Sequence, residues 1–257
     1  MLHSDRTKDE ATRALLALVA VCAVALLGGA VAFAAWAGSD PPRNYRIGEL
    51  PSACLRAPTG KRCVNAGVYY LDKARASLGL PAYKLPADFP SLTPAKQLFI
   101  LTDLDRTRYG LPPMTGLTAA LSRDAYRTGI KRAAEPHPSD TREIIAWTAI
   151  WAGGYANAPL AYEAWMYDDG PGSGNLDCTT DNPSGCWEHR HGILWKFPAR
   201  AVRAFGAAAG NGLHARSYAI LLVGGRPSYR PKYAYTWRRA VADGAGSNAY
   251  NPGDPRR

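Results

Sequence analysis

The sequence predicts an α+β fold, with helices packed on a mostly antiparallel sheet, preceded by one N-terminal transmembrane helix. Three observations support this class. A long uncharged run lies within the first forty residues, helical patterns fill the middle of the chain, and the clearest strand pattern comes late. Helices that precede strands do not form alternating βαβ units, so we expect an antiparallel sheet covered by helices.

Residues 14–37 contain no charged side chain. About 20 apolar residues in a helix cross a bilayer, so this run predicts a membrane-spanning signal anchor. Arg6, Lys8 and Arg13 precede it and place residues 1–13 in the cytoplasm. Cleavage after Ala37 would fit the small-x-small rule and give a secreted form, but the run is longer than a typical signal peptide. We therefore expect a single-pass protein of the cell membrane with an extracytoplasmic C-terminal domain.

Four cysteines follow the predicted span. An even number of cysteines in an exported region indicates disulfide bonds. Their short spacings favour the pairs Cys54–Cys63 and Cys178–Cys186. A zinc knot is disfavoured because the chain has no C-x-x-C pair.

Composition and charge narrow the function classes. The chain has 257 residues, 47% of them hydrophobic, and a formal net charge of +10. A chain of this composition can fold as one globular domain with appendages. A basic exported protein suits anionic partners such as lipid headgroups or cell-wall polymers, and its location excludes nucleic acid. A solvated basic surface without a specific partner is the alternative.

The helical patterns begin after the first disulfide loop. Residues 63–80 predict a helix, and Thr93 with Pro94 begins a second helix that ends at Gly110. A third helix is expected from about residue 117 to 134. Residues 142–150 fit either a strand or a helix.

The second half of the chain contains a further helix and the clearest strand. A helix is predicted in the stretch APLAYEAWMYDD, residues 158–169, and an irregular loop over residues 170–185. Residues 217–224, SYAILLVG, form an apolar run of strand length. The predicted organisation is a linker and disulfide loop over 38–59, the main domain over 60–240, and a flexible tail over 241–257.

Three stretches, in order, resemble one family. Residues 101–125, LTDLDRTRYGLPPMTGLTAALSRDA, resemble the opening helix pair of bacterial CAP domains, the cysteine-rich secretory, antigen 5 and pathogenesis-related (SCP-domain) superfamily. Residues 161–166, AYEAWM, resemble the helix that ends in W-M, and CWEHRHGIL, residues 186–194, resembles the signature S-P-G-H-R-x-N-I-L. The matching residues of the first and third stretches are Arg106, Gly110, Leu111, Pro113, Leu117, Leu121, Ala125, His189, Arg190, Ile193 and Leu194. The resemblance covers about residues 60–225, and the insert at 167–187 is similar to that of an actinobacterial branch.

The resemblance implies an α-β-α sandwich with a cleft, in which many members hold two histidines and two acids able to bind a divalent metal such as zinc. His189 matches the second histidine and Asp168 the second acid. His137 follows the second helix, where the first histidine often lies. Glu143 resembles the first acid but lies about six residues too far upstream. The candidate metal ligands are therefore His189, Asp168 and His137.

The candidate cleft also has a purely structural interpretation. His189 and Arg190 can bind Asp168 or Asp169 and fix the insert against the sheet. Glu188 stands where the family has glycine and disfavours an anionic ligand, whereas His191 is expected to be exposed. The candidate cleft residues are His189, Asp168, Arg190, Glu188 and Asp169.

Two functions compete, and no residue is assigned a catalytic role. The first is a non-catalytic binding module for lipid or cell-envelope ligands. The second is a metal-assisted hydrolase acting on peptide or cell-wall substrates. A structural ectodomain without a small ligand is a third possibility. The chain has no G-x-S-x-G nucleophile motif.

Overall fold

A computed structural model of the chain describes residues 36–213, 215–248, 250 and 252–253. The predicted cytoplasmic segment 1–13 and most of the predicted span 14–37 lie outside these residues. Trp36 and Ala37, the last two residues of that span, belong to the folded unit, because the Ala37 N–H donates to the Leu194 carbonyl at 3.0 Å. Within the described part, none of the helices combines the length and apolar character needed to cross a bilayer.

Seven α-helices lie in the described residues. They are α1 (Ser52–Arg56), α2 (Lys61–Ser77), α3 (Pro94–Arg108), α4 (Ala119–Asp124), α5 (Ala158–Tyr167), α6 (Glu188–Ile193) and α7 (Trp237–Ala242), and a π-helix (Ala125–Ile130) extends α4. Thr93 caps α3 by accepting from the Lys96 N–H, as its position before Pro94 predicts. Short 3₁₀ turns occupy Phe89–Ser91 and Pro183–Gly185.

Five strands form one sheet in the order β2-β4-β3-β1-β5. Their bounds are β1 (Gly116–Thr118), β2 (Ile144–Gly153), β3 (Val202–Asn211), β4 (Arg216–Gly225) and β5 (Tyr233–Thr236). β1 pairs with β3 in parallel, and the other three pairings are antiparallel. The predicted α+β class with a mostly antiparallel sheet is confirmed.

Helices cover both faces of the sheet. Ile220 and Leu222 of β4 pack in the cluster that contains the buried side chains of α2, α3 and α5. Ala219 and Leu221 point to the opposite face, where α4 and the π-helix pack. Because β4 is buried on both sides, it reads in the sequence as a continuous apolar run.

Two predicted segments differ from the structure. The helix expected from about residue 117 begins at Ala119, because Gly116–Thr118 pairs with β5 across the sheet. Residues 241–248, the beginning of the predicted flexible tail, complete α7 and pack onto the domain. Ala245 is buried there, and the Gly246 N–H donates to the Lys84 carbonyl at 2.8 Å.

The disulfides Cys54–Cys63 and Cys178–Cys186 are both present, which confirms the disulfide prediction. The first joins α1 to α2, and the second closes the loop before α6. Residues 38–50, predicted as linker, run along the domain, and the Tyr45 N–H donates to the Tyr167 carbonyl at 2.7 Å.

A charged cluster lies inside the helical layer. The Asp105 carboxylate accepts from Arg75 at 2.5 Å and from the Tyr162 hydroxyl at 2.9 Å, and Tyr83 also donates to it. Asp105 is fully buried, so these donors replace the water that its charge loses on folding. Burial and the nearby Asp105 charge raise the pKa of Tyr162 well above its usual range and keep this phenol protonated.

Candidate functional site

The CWEHRHGIL stretch folds as a tight turn followed by α6. Trp187 takes a left-handed φ of 64°, and its N–H donates to the Asp169 carbonyl at 3.0 Å. Its indole lies against Gly170, where a Cβ would come within 2.4 Å of the ring. This contact joins the end of the insert to its beginning and directs the first turn of α6 toward Asp169.

His189 lies between two carboxylates. Asp169 Oδ1 is 2.6 Å from His189 Nδ1, and Asp169 Oδ2 accepts from the His189 backbone N–H at 3.1 Å. On the other side, Glu135 Oε1 is 3.6 Å from His189 Nε2. Both ring nitrogens therefore face acids.

The two carboxylates determine the charge of His189. Its burial opposes protonation, but the hydrogen bonds and charges of Asp169 and Glu135 outweigh burial and raise the pKa of His189 to about 10. Burial raises the pKa of Asp169, and the hydrogen bonds from His189 act against that rise. Near neutral pH the protonated imidazole donates from Nδ1 to Asp169, while Nε2 faces the Glu135 carboxylate as an ion pair at 3.6 Å.

A cavity of about 650 Å³ opens beside this group. Its wall is partly aromatic, with Trp151, Tyr155 and Trp165, and Asp168, Asp169 and His189 lie at its polar side. The other lining residues are Ala133, Ala134, Glu135, Ala152, Gly153, Gly154, Ala164, Gly174, Asn175, Leu176, Asp177, Ala215 and Ser217. Its size and mixed lining are typical of a site for a small organic ligand.

A second cavity, of about 360 Å³, adjoins the first. Glu135, Asp177 and His189 line both cavities, so the Glu135–His189 contact forms part of the partition between them. The second cavity is otherwise lined by Trp36, Trp147, Thr148, Ala149, Gly185, Glu188, His191, Gly192 and Trp195. The two cavities follow the same side of β2.

Several buried polar atoms around the first cavity have no hydrogen-bond partner among the described residues. They include the indole nitrogens of Trp151 and Trp165 and Asp168 Oδ1, and Glu163 Oε1 in α5 is a further unpartnered atom outside the lining. Burial, with the nearby Asp168 charge, raises the pKa of Glu163 well above its usual range. Such polar groups in an apolar wall can fix the orientation of a bound molecule.

The structure brings together three of the predicted cleft residues. His189, Asp168 and Asp169 border the first cavity, and Glu188 lies at the rim of the second. Arg190 is buried and lines neither cavity. It donates to the Met166 carbonyl at 3.0 Å, the Ser39 carbonyl at 3.2 Å and the Tyr109 hydroxyl at 2.7 Å.

The predicted metal-ligand set is not assembled. His137 is exposed and lines neither cavity, and its backbone N–H is held by Thr128 Oγ1 at 3.0 Å. Glu143, the residue before β2, accepts from Ser228 Oγ at 2.5 Å and lines neither cavity. In the part of the chain that the structure describes, no group of three or more His, Cys, Asp or Glu is arranged to hold a metal ion.

Two further expectations need correction. His191 was expected to be exposed, but its ring stacks on Trp36 with centroids 3.8 Å apart, and its Nε2 is 2.7 Å from Asp40 Oδ1. The residue of the His137 loop that faces His189 is Glu135, two residues earlier in the chain, so the sequence indicates the correct loop but the wrong residue. The prolines on either side of His137 mark a loop there, but no local pattern shows which of its side chains turns inward.

No protein-family model, curated protein or solved structure matches this chain.

Proposed function

We propose that this chain is a membrane-anchored, exported protein whose CAP-type α-β-α sandwich is a non-catalytic binding module for lipid or cell-envelope ligands. The uncharged run at 14–37 supports the anchor, and the two disulfides suit an oxidising compartment. Helices on both faces of the sheet support the sandwich, as does the H-R pair at the start of α6 beside the cavity.

The observation that carries the binding role is the engagement of His189 on both ring nitrogens. A metal ligand or general base needs a neutral imidazole with one free nitrogen. Here Nδ1 lies 2.6 Å from Asp169 and Nε2 3.6 Å from Glu135. The bonds between Asp169 and His189 tie α6 to the insert, and the Glu135 carboxylate faces the other ring nitrogen from a neighbouring loop.

The cavity supplies the binding surface. Its aromatic side chains offer apolar area, and its unpartnered polar atoms offer hydrogen bonds to a ligand. Gly174 lines the cavity, and a Cβ added there would have no neighbour within 4 Å. A large side chain at this position therefore adds bulk at the rim of the cavity without a clash at its Cβ.

The test uses the full chain in nanodiscs and follows tryptophan fluorescence. A short-chain phospholipid and soluble fragments of wall glycan are titrated separately into the wild type, Gly174→Trp and the matched control Gly174→Ser. We expect a saturable response to one of the two ligands in the wild type and Gly174→Ser, and its loss in Gly174→Trp. No saturable response to either ligand, or a response unaffected by Gly174→Trp, contradicts this site.

Zinc titration of the wild type and His189→Ala separates binding from hydrolysis. We expect the two proteins to take up equal amounts of zinc. Zinc uptake that depends on His189 would favour the metal-assisted hydrolase instead.

A further inference from the structure

β2 is an edge strand. β4 pairs with its inner side from Ile144 to Gly153, and no strand pairs with its outer side within residues 36–213 and 215–248. The outer edge follows both cavities: Trp147–Ala149 border the second, and Trp151–Gly153 border the first. The exposed edge of the sheet is therefore one wall of the groove that the two cavities form.

One contact shows which backbone groups of β2 face outward. The Trp151 N–H donates to Glu135 Oε1 at 3.2 Å instead of to β4. Hydrogen bonding alternates along an antiparallel strand, so the N–H and C=O groups of Trp147 and Ala149 face outward as well. Glu135 occupies the place that a carbonyl of a neighbouring strand would take. The next outward N–H belongs to Ala149, two residues before Trp151.

The outer edge lacks the usual protection against strand pairing. Edge strands are commonly blocked by lysine, proline, bulges or short length. β2 has ten residues, IIAWTAIWAG, with neither a charged residue nor a proline, and its one register shift lies near its start. Ile145 and Trp147 expose 45% and 47% of their surface. Such an edge is suited to accept an added strand.

The groove beside this edge is acidic, although the chain as a whole is basic. The described residues that line the two cavities include no lysine or arginine and five carboxylates: Glu135, Asp168, Asp169, Asp177 and Glu188. The protonated His189 offsets one of these charges. In a chain of formal net charge +10, this concentration of acids attracts a positively charged partner.

We propose that the outer edge of β2 binds an extended basic peptide segment of a partner protein, which adds to the sheet as a sixth strand. The proposal rests on the binding role argued above and names a partner class for the same groove. Backbone hydrogen bonds to Trp147 and Ala149 hold the segment, and its alternate basic side chains reach the carboxylates of the second cavity, Glu135, Asp177 and Glu188. The exposed ring of Trp147 provides an aromatic face for the same cations.

The charges of the groove disfavour a second copy of this chain on the same edge. Pairing β2 with its symmetry mate would bring two acidic grooves together, and like charges in close contact are unfavourable. The free part of β2, from Ile144 to the Glu135 contact at Trp151, accommodates a segment of about six or seven residues at about 3.3 Å per residue.

The test measures fluorescence anisotropy of a labelled peptide of alternating arginine and valine with the full chain in nanodiscs. Its matched control has the same sequence with N-methyl groups on alternate backbone nitrogens. This change keeps the charge but removes the N–H donors along one edge of the peptide. We expect the N-methylated peptide to bind about tenfold more weakly or worse, since it loses backbone hydrogen bonds. Equal binding of the two peptides, or no binding of either, overturns the proposal.

A pair of protein variants tests the same contact from the other side. Ala149→Pro removes an outward N–H, which an edge strand tolerates, and Ala149→Val keeps it. We expect Ala149→Pro to bind the peptide about tenfold more weakly than Ala149→Val, which has a similar bulk at the same position but keeps the N–H. If Ala149→Pro does not fold, the comparison of the two peptides on the wild type still decides.

Two further outcomes count against the proposal. A concentration-dependent dimer in sedimentation that Ala149→Pro abolishes would assign the edge to a second copy. Equal binding of a glutamate–valine peptide would exclude charge recognition. If the basic peptide fails while the Gly174→Trp effect on phospholipid or glycan remains, the peptide proposal fails and the binding module stands.

Discussion

The Asp169 carboxylate makes two hydrogen bonds with His189. It binds the backbone N–H of His189 at 3.1 Å and the ring Nδ1 of His189 at 2.6 Å. The first bond fixes the start of α6, and the second fixes the direction of the imidazole. Asn175 Nδ2 also donates to Asp169 Oδ1 at 2.8 Å and to the Gly185 carbonyl at 3.0 Å. One carboxylate thus joins the insert, the helix and the wall of the cavity.

The charge of His189 predicts a loss of stability in alkaline solution. Its folded pKa of about 10 lies above the ordinary value of 6.5, so its contribution is complete below pH 6.5 and disappears as the pH rises to about 10. The slope contributed by this one proton is at most about 1.4 kcal/mol per pH unit. Urea unfolding of the wild type and His189→Gln across this range measures it. Identical pH slopes in the two proteins would show that His189 is not the responsible group.

Substitution of Asp105 should destabilise the helical layer strongly. Asp105→Asn removes the charge opposite Arg75, whose side chain is also buried, and we expect a loss of about 3–5 kcal/mol in unfolding free energy. Tyr162→Phe removes one hydrogen bond to the same carboxylate and should cost about 1 kcal/mol. Denaturant unfolding of both variants provides the comparison, and equal losses would contradict the role of the charge.

The two disulfides provide a matched comparison of stability and binding. Their cysteines are 8 and 9 residues apart, so loop-closure entropy predicts a similar loss of about 2–3 kcal/mol when either pair is replaced by alanine. Only Cys178–Cys186 lies in the insert that carries Asn175 and Asp177. We expect its removal to weaken ligand binding in the fluorescence assay, whereas removal of Cys54–Cys63 leaves binding intact. Equal ligand binding by the two double variants would show that the insert does not contribute to the binding site.

Gly206 of β3 lies against the backbone of α4 and leaves no room for a side chain. A Cβ at this position would lie 2.4 Å from the carbonyl carbon of Leu121. Gly206→Ala should therefore separate β3 from α4 and cost about 3 kcal/mol. Gly174→Ala, in open space, is the control and should unfold like the wild type. Thermal unfolding distinguishes the two, and a Gly206→Ala protein as stable as the wild type would refute the contact.

The sequence predicts those elements whose cause is local. Thr93 and Pro94 begin a helix by their own chemistry, and β4 is visible because both of its faces are buried. The sequence of β2 fits either a strand or a helix because one edge of the strand borders a groove. Trp147 is therefore exposed, and the regular alternation of buried and exposed side chains is lost. β1 is not visible at all, since three residues become a strand only through partners more than eighty positions away.

The residues of the candidate site also fall into those that the sequence predicts and those that depend on tertiary contacts. His189 and Asp168 follow from motifs within single segments, and both border the cavity. Glu135 lies 54 residues before His189, and only the tertiary fold brings their side chains within 3.6 Å of each other. Residue type favours His137 as the ligand, but both residues are exposed and only Glu135 lies against His189 at the cavity.

The insert between α5 and α6 is closed at its base. Trp187 lies over Gly170, and Cys178 is joined to Cys186, so both ends are fixed independently of the residues between them. Exposed Leu176 and the neighbouring residues form one rim of the first cavity. Exposed residues of this rim such as Leu176 can therefore be substituted without moving the helix that carries His189.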